Sequence, residues 1–143
     1  MTTHQEQDNN IIDNVRNYFG PEFPEDISLD HAYIHIGYFF GWVILNDLYS
    51  EEFEDEFGAQ IIYFKRKEIT PTILAETLDG IIEKELFDIK LHRFLTDYYS
   101  SGDYIKDYKE NLANDKDTIF HVSENWEDFD KMSKILDARF SRY

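Results

Sequence analysis

Along most of the chain, apolar side chains recur three and four residues apart, the spacing that gathers them on one face of a helix. Ile11, Ile12, Val15 and Phe19 open the pattern and predict a short first helix, stopped by Gly20-Pro21. After a rigid turn over residues 21–26, Ser28 or Asp30 can cap a second helix spanning about residues 30–47. That segment is apolar nearly all round (Ile34, Ile36, Phe39, Phe40, Trp42, Val43, Ile44, Leu45), so it belongs in the middle of a bundle. Gly37 and Gly41 sit four apart on one side, where a neighbouring backbone can come close. Two arrangements stay open: a wholly internal helix, or one that shares this face with a second copy in a homodimer.

Ser50 opens the next helix, with a stripe of Phe53, Phe57, Ile61 and Phe64. Glu51 and Glu52 at its start and Lys65-Arg66-Lys67 at its end complement the helix dipole. Thr70-Pro71 reads as a cap followed by proline at the first helical position, and Asp79-Gly80 ends that short helix after Leu78. Phe87, Leu91, Phe94, Leu95 and Tyr98 predict a helix reaching Tyr99, and Tyr104, Ile105 and Tyr108 a weaker one from Asp103 to Leu112. Residues 118–122 are short and β-rich, so they read as an extended connection. Ser123 is the expected cap of a last helix whose apolar face carries Trp126, Phe129, Met132, Ile135/Leu136 and Phe140. The expectation is an all-α fold: one helical domain over residues 11–143, about six helices around the central one, behind a flexible polar leader of residues 1–10.

Composition supports a packed core. Aromatic residues are 17% of the 143 (12 Phe, 10 Tyr, 2 Trp), ample apolar surface to offset chain entropy. Gly at 6 and Pro at 3 are too sparse for a turn-rich β-sandwich. Zero Cys excludes disulfides, thiolate zinc sites and a cysteine nucleophile. The most apolar stretch, residues 32–45, is too short to span a bilayer, and the polar start lacks signal-peptide features. A cytoplasmic chain with no membrane partner is the expectation.

Charge sets the partner class. With 14 Lys+Arg against 30 Asp+Glu, the net charge of −16 argues against gripping a nucleic acid backbone. It also exceeds the magnitude of about 2–8 that suffices for solubility. Self-repulsion at that level is destabilising, so a use for the field is expected: rapid capture of a basic protein. Glu51, Glu52, Glu54, Asp55 and Glu56 surround an inward Phe53, and Glu124, Glu127 and Asp128 form a second cluster at the head of the last helix. Tyr98, Tyr104 and Tyr108 lie close in sequence, and tyrosine suits contact surfaces. These eleven residues are the candidate partner-binding set.

Candidate chemistry is thin. His31 and His35 have the spacing of a zinc-protease helix, but Ala32 stands where such sites carry the general-base glutamate. His92 and His121 add no recognisable ligand spacing, and there is no phosphate loop or nucleophile elbow. No catalytic residue, metal ligand or cofactor is expected. The alternative readings are a small metal-dependent enzyme or metal-binding protein using His31/His35, and a general cytoplasmic interaction module.

Two stretches carry a resemblance. His35-Ile-Gly-Tyr-Phe-Phe-Gly-Trp42, followed by the acidic helix start Ser50-Glu-Glu-Phe53, and the closing Phe120-His-Val-Ser-Glu-Asn-Trp-Glu-Asp-Phe-Asp130 with Leu136–Phe140 resemble a family of small acidic bacterial proteins, a domain of unknown function. The likeness covers most of residues 20–143 and is weakest over residues 68–90. His35, Gly37, Trp42, His121, Trp126 and Asp130 match its recurrent positions. Members are often encoded near secreted toxins, so the resemblance implies an immunity-type protein that neutralises a cognate toxin by binding it. Together with the charge of −16, this sets the expected partner as a toxin with a basic active-site surface, such as a nuclease. The family brings no catalytic residues to carry over.

Overall fold

The computed structural model describes residues 10–143; all but the last residue of the expected leader lies outside them. Among the described residues there are six α-helices and a single two-stranded sheet, so the fold is all-α with a small β clip. Strand β1 is Ile11–Asn14, followed by a 3-10 turn, Val15–Tyr18. A second 3-10 turn, Leu29–Tyr33, leads into α1, Ile34–Leu45. Helices α2 (Glu51–Lys65) and α3 (Pro71–Thr77) follow, then strand β2, Ile81–Glu83. Two 3-10 turns, Lys84–Leu86 and Ile89–Leu91, precede α4 (His92–Phe94), which runs straight into a π-turn, Leu95–Tyr99. Helix α5 is Asp103–Leu112, and α6 is Trp126–Phe140. No helix of the described residues is long and apolar enough to cross a membrane.

The central helix is internal, as its all-round apolar sequence demands. Every residue of α1 from Ile34 to Ile44 is buried. Phe40 meets Phe53 of α2 with ring centroids 4.9 Å apart, and Phe39 meets Tyr99 of the π-turn at 4.8 Å and Tyr104 of α5 at 5.2 Å. Trp42 donates its indole N–H to Asp137 of α6 over 2.8 Å. The two glycines are covered by the chain itself. A Cβ at Gly37 would overlap the backbone carbonyl of Pro71, and one at Gly41 would run into the rings of Phe64 and Phe129. The homodimer alternative through this face therefore has no free surface to use.

Helix starts behave as the sequence says at Ser50 and Thr70, while Ser28 caps the 3-10 turn ahead of α1, which itself begins only at Ile34 with no side-chain cap. Ser50 Oγ accepts from the Phe53 N–H at 3.1 Å, Thr70 Oγ1 from the Ile73 N–H at 3.2 Å with Pro71 in the first turn, and Ser28 Oγ from the Asp30 N–H at 3.2 Å. Elsewhere the structure corrects the reading. Residues 11–14 form a strand, not a helix, because Ile11 and Ile12 are β-branched and find a partner about seventy residues away in β2. The pairing is antiparallel (Ile11 with Glu83, Asp13 with Ile82, Asn14 with Ile81), with an irregularity between Ile11 and Asp13. The helix expected up to Tyr99 is broken into short turns, since backbone bonds from Ser50 N to Leu86 O and Asp88 N to Leu48 O draw residues 86–88 against the start of α2. Residues 119–121 form a 3-10 turn rather than an extended connection. The cap of α6 is Asn125, whose side chain accepts from the Asp128 N–H at 2.7 Å, not Ser123.

This packing yields a paired expectation. Gly37→Ala forces α3 away from α1 and should cost about 1–3 kcal/mol. Gly58→Ala in α2 meets nothing within 4 Å and should raise stability by up to about 1 kcal/mol through helix propensity. Thermal unfolding followed by circular dichroism reads both signs.

Candidate functional site

Three polar arrangements can be weighed. The first lies at β1. The Asp13 side chain points inward and is only 7% exposed. Its Oδ1 accepts from the Tyr18 hydroxyl and the Asn14 N–H, both at 2.8 Å. Its Oδ2 accepts from the Tyr99 hydroxyl at 2.5 Å and from His35 Nε2–H at 3.3 Å. Four donors from four elements thus meet on one carboxylate. Burial pushes the Asp13 carboxyl up, but the hydrogen bond and charge of His35, with the hydroxyls of Tyr99 and Tyr18, outweigh it and hold the group below the usual carboxylate range. Burial and the Asp13 charge raise the phenols of Tyr18 and Tyr99 well above theirs. An acid–base catalyst needs groups tuned toward neutrality, whereas this carboxylate and these phenols are driven away from it. Asp13 acts as a brace.

The second arrangement repeats the scheme across the π-turn. Asp107 of α5 accepts from the Tyr98 hydroxyl at 2.5 Å and receives a two-pronged contact from Arg139 of α6, at 2.9 and 3.0 Å. Burial raises its carboxyl, while Arg139 and Tyr98 lower it by more. The rings of Tyr98, Tyr104 and Tyr108 are therefore interior: all three are buried, and Tyr104 donates to the His35 carbonyl. Their proposed place on a docking surface is corrected. A helix face rich in tyrosine had a core to fill.

The third arrangement is a cleft of about 350 Å³ between the start of α2 and residues 85–92. Glu51 and Glu52 stand on one wall, fixed by the Ser50 cap. Glu85 and Asp88 stand on the other, held by the backbone bonds that tie residues 86–88 to residues 48–50. The Tyr49–Phe87 bridge adds to that tie, and Phe87 is buried beneath the cleft. At its rim Ile89 is 80% exposed, an isolated apolar side chain beside four carboxylates. On β2, partial burial, then a hydrogen bond with Glu85 and its charge, raise the carboxyl of Glu83.

The remaining predicted residues scatter. Glu54, Asp55 and Glu56 are exposed on the outer face of α2. Glu124 is half-buried and accepts from the Thr72 N–H at 2.6 Å, so it serves the first turn of α3. Asp128 bonds to the Asn125 cap, and Glu127 faces solvent. The two histidines part company: His31, in the 3-10 turn, donates Nδ1–H to the Phe120 carbonyl at 2.8 Å, while His35 points to Asp13. Among the described residues no group of three or more His, Asp or Glu side chains is arranged to hold a metal ion. Sequence reasoning missed Asp13, Asp107, Glu85, Asp88 and Ile89. A lone acid amid Ile11, Ile12 and Val15 was a usable signal for Asp13; Ile89 offered none.

A family model, the domain of unknown function DUF7832, matches residues 11–122. The chain belongs to that family. The match takes in β1 and the region 68–90, where the motif likeness was faint, and it ends before α6, so the closing stretch with Trp126 and Asp130 falls outside it. No curated protein and no solved structure matches the chain.

The Asp13 brace has a pH signature. A carboxyl held low in the folded state contributes stability above its unfolded value, near 3.9, and loses it as pH falls through the folded value. Asp13→Asn should therefore cost on the order of 3 kcal/mol at pH 7. In urea unfolding at pH 7, 5 and 3, the gap between native and variant protein should shrink only at the lowest pH.

Proposed function

We propose that the protein is a non-enzymatic, immunity-type inhibitor that works in the cytoplasm by binding a basic toxin and covering its active surface. The observation that carries this reading is the cleft of Glu51, Glu52, Glu85 and Asp88 beside the exposed Ile89. It is the arrangement of a protein contact: an apolar anchor, a charged surround and a rigid backing. The net charge of −16 gives that surround a long-range field, which speeds encounter with a cationic face. Where the toxin is a nuclease, the groove that meets phosphates would meet these carboxylates instead.

Binding to the purified product of the adjacent gene, followed by surface plasmon resonance, tests the reading. Association should slow by about tenfold or more between low and physiological salt. Glu51→Lys/Glu85→Lys should lower the on-rate, and Ile89→Asp should speed dissociation by about tenfold or more. Absence of a complex at low salt, or a complex indifferent to these substitutions, overturns the proposal.

A further inference from the structure

Lys90, the residue after Ile89, faces a different cleft, of about 560 Å³, where Arg93, Arg139 and Arg142 join it. Four of the chain's 14 Lys and Arg thus converge in one place on a molecule of net charge −16. Helix-dipole compensation explains Arg139 and Arg142 at the end of α6, but Lys90 and Arg93 arrive from a separate segment and point at the same space. Arg139 is preorganised: Asp107 grips its Nε and Nη2, and its guanidinium lies 5.9 Å from the centre of the Tyr98 ring. Its side chain still keeps 43% exposure.

Lys90 and Arg142 form no ion pair among the described residues, and Arg93 makes one long, exposed contact with Asp97 at 3.4 Å. The other lining acid, Asp103, sits in the first turn of α5, where the helix dipole offsets its charge. The cleft also has an aromatic side. Phe94 stacks on Tyr98 with centroids 4.8 Å apart, and Tyr143, more than half exposed, stands edge-on to Phe94 at 5.2 Å.

We propose that this cleft binds a small phosphorylated molecule. Its phosphoryl oxygens would take Arg93, Arg142 and Lys90 together with the outer edge of Arg139, because guanidinium forks match a tetrahedral oxyanion. A flat organic portion would lie on the ring of Tyr143. The volume is within the range of small-ligand sites, roughly 300–1,000 Å³. A compact phosphoryl group pairs directly inside the cleft, whereas a long phosphate backbone would run on across the acidic surface. The site is independent of the partner cleft and stands or falls separately from it.

Titration of the full chain with pyrophosphate, adenosine 5′-monophosphate and adenosine at low salt, read by amide NMR shifts and calorimetry, tests the site. Both phosphates should saturate with dissociation constants below about 1 mM, and adenosine should bind at least about tenfold more weakly. Arg93→Gln/Arg142→Gln should weaken both phosphates by about tenfold or more with unchanged thermal unfolding, while Lys134→Gln on the outer side of α6 should have no effect. The proposal fails if neither phosphate saturates by about 10 mM. It fails equally if adenosine binds as well as its monophosphate, or if Lys134→Gln weakens binding as much as the double substitution.

Discussion

A single carboxylate, that of Asp13, ties together four parts of the chain at one buried point. Strand β1 carries it, the following turn supplies Tyr18, the central helix supplies His35 and the π-turn supplies Tyr99. An ionised acid at that depth is tolerated only while every acceptor site is filled. The requirement therefore runs outward: α1 must present His35 at the right height, and residues 95–99 must reach in from the other side. The two-stranded clip matters mainly because it aims this side chain inward.

Asp107 obeys the same rule with Tyr98 and Arg139 as its partners. A strongly acidic chain thus spends two carboxylates on internal bracing and leaves most of the others at the surface. There, position rather than number separates them. Those on the outer face of α2 are simply solvated, whereas Glu51, Glu52, Glu85 and Asp88 are held toward one another by a cap and by backbone bonds between two elements. These four carboxylates line one cleft, and that shared position is what the proposed cationic partner rests on.

Much of this fold was legible where the determinants are local. Ser50 and Thr70 are caps because three or four residues decide a helix start, and the apolar girth of residues 34–44 announces an interior helix without further context. What escaped was set by distant partners. Residues 11–14 show helical spacing alone and become a strand only when Ile81–Glu83 lies alongside. Tyr104 and Tyr108 carry a polar atom that suggests a surface, yet both are buried: the Tyr104 hydroxyl finds the His35 carbonyl, whereas that of Tyr108 is buried without a partner among the described residues. The candidate site was half visible: the wall on α2 could be read from a charge run, but the opposite wall lies in short turns where the spacing of Phe87, Leu91 and Phe94 pointed to a helix instead.

The π-turn has a consequence for how this chain can change over time. Tyr98 and Tyr99 are neighbours in sequence, yet each hydroxyl serves a different buried acid, and the widened turn is closed by the Ser100 N–H on the Leu95 carbonyl at 2.8 Å. Dropping one residue there would swing both phenols by about 100° around the axis and take one donor from each buried acid at once. Lineages of this chain can thus exchange surface residues freely around α4, but insertions and deletions within residues 95–100 should be purged. Spacing is inherited there as strictly as side-chain identity.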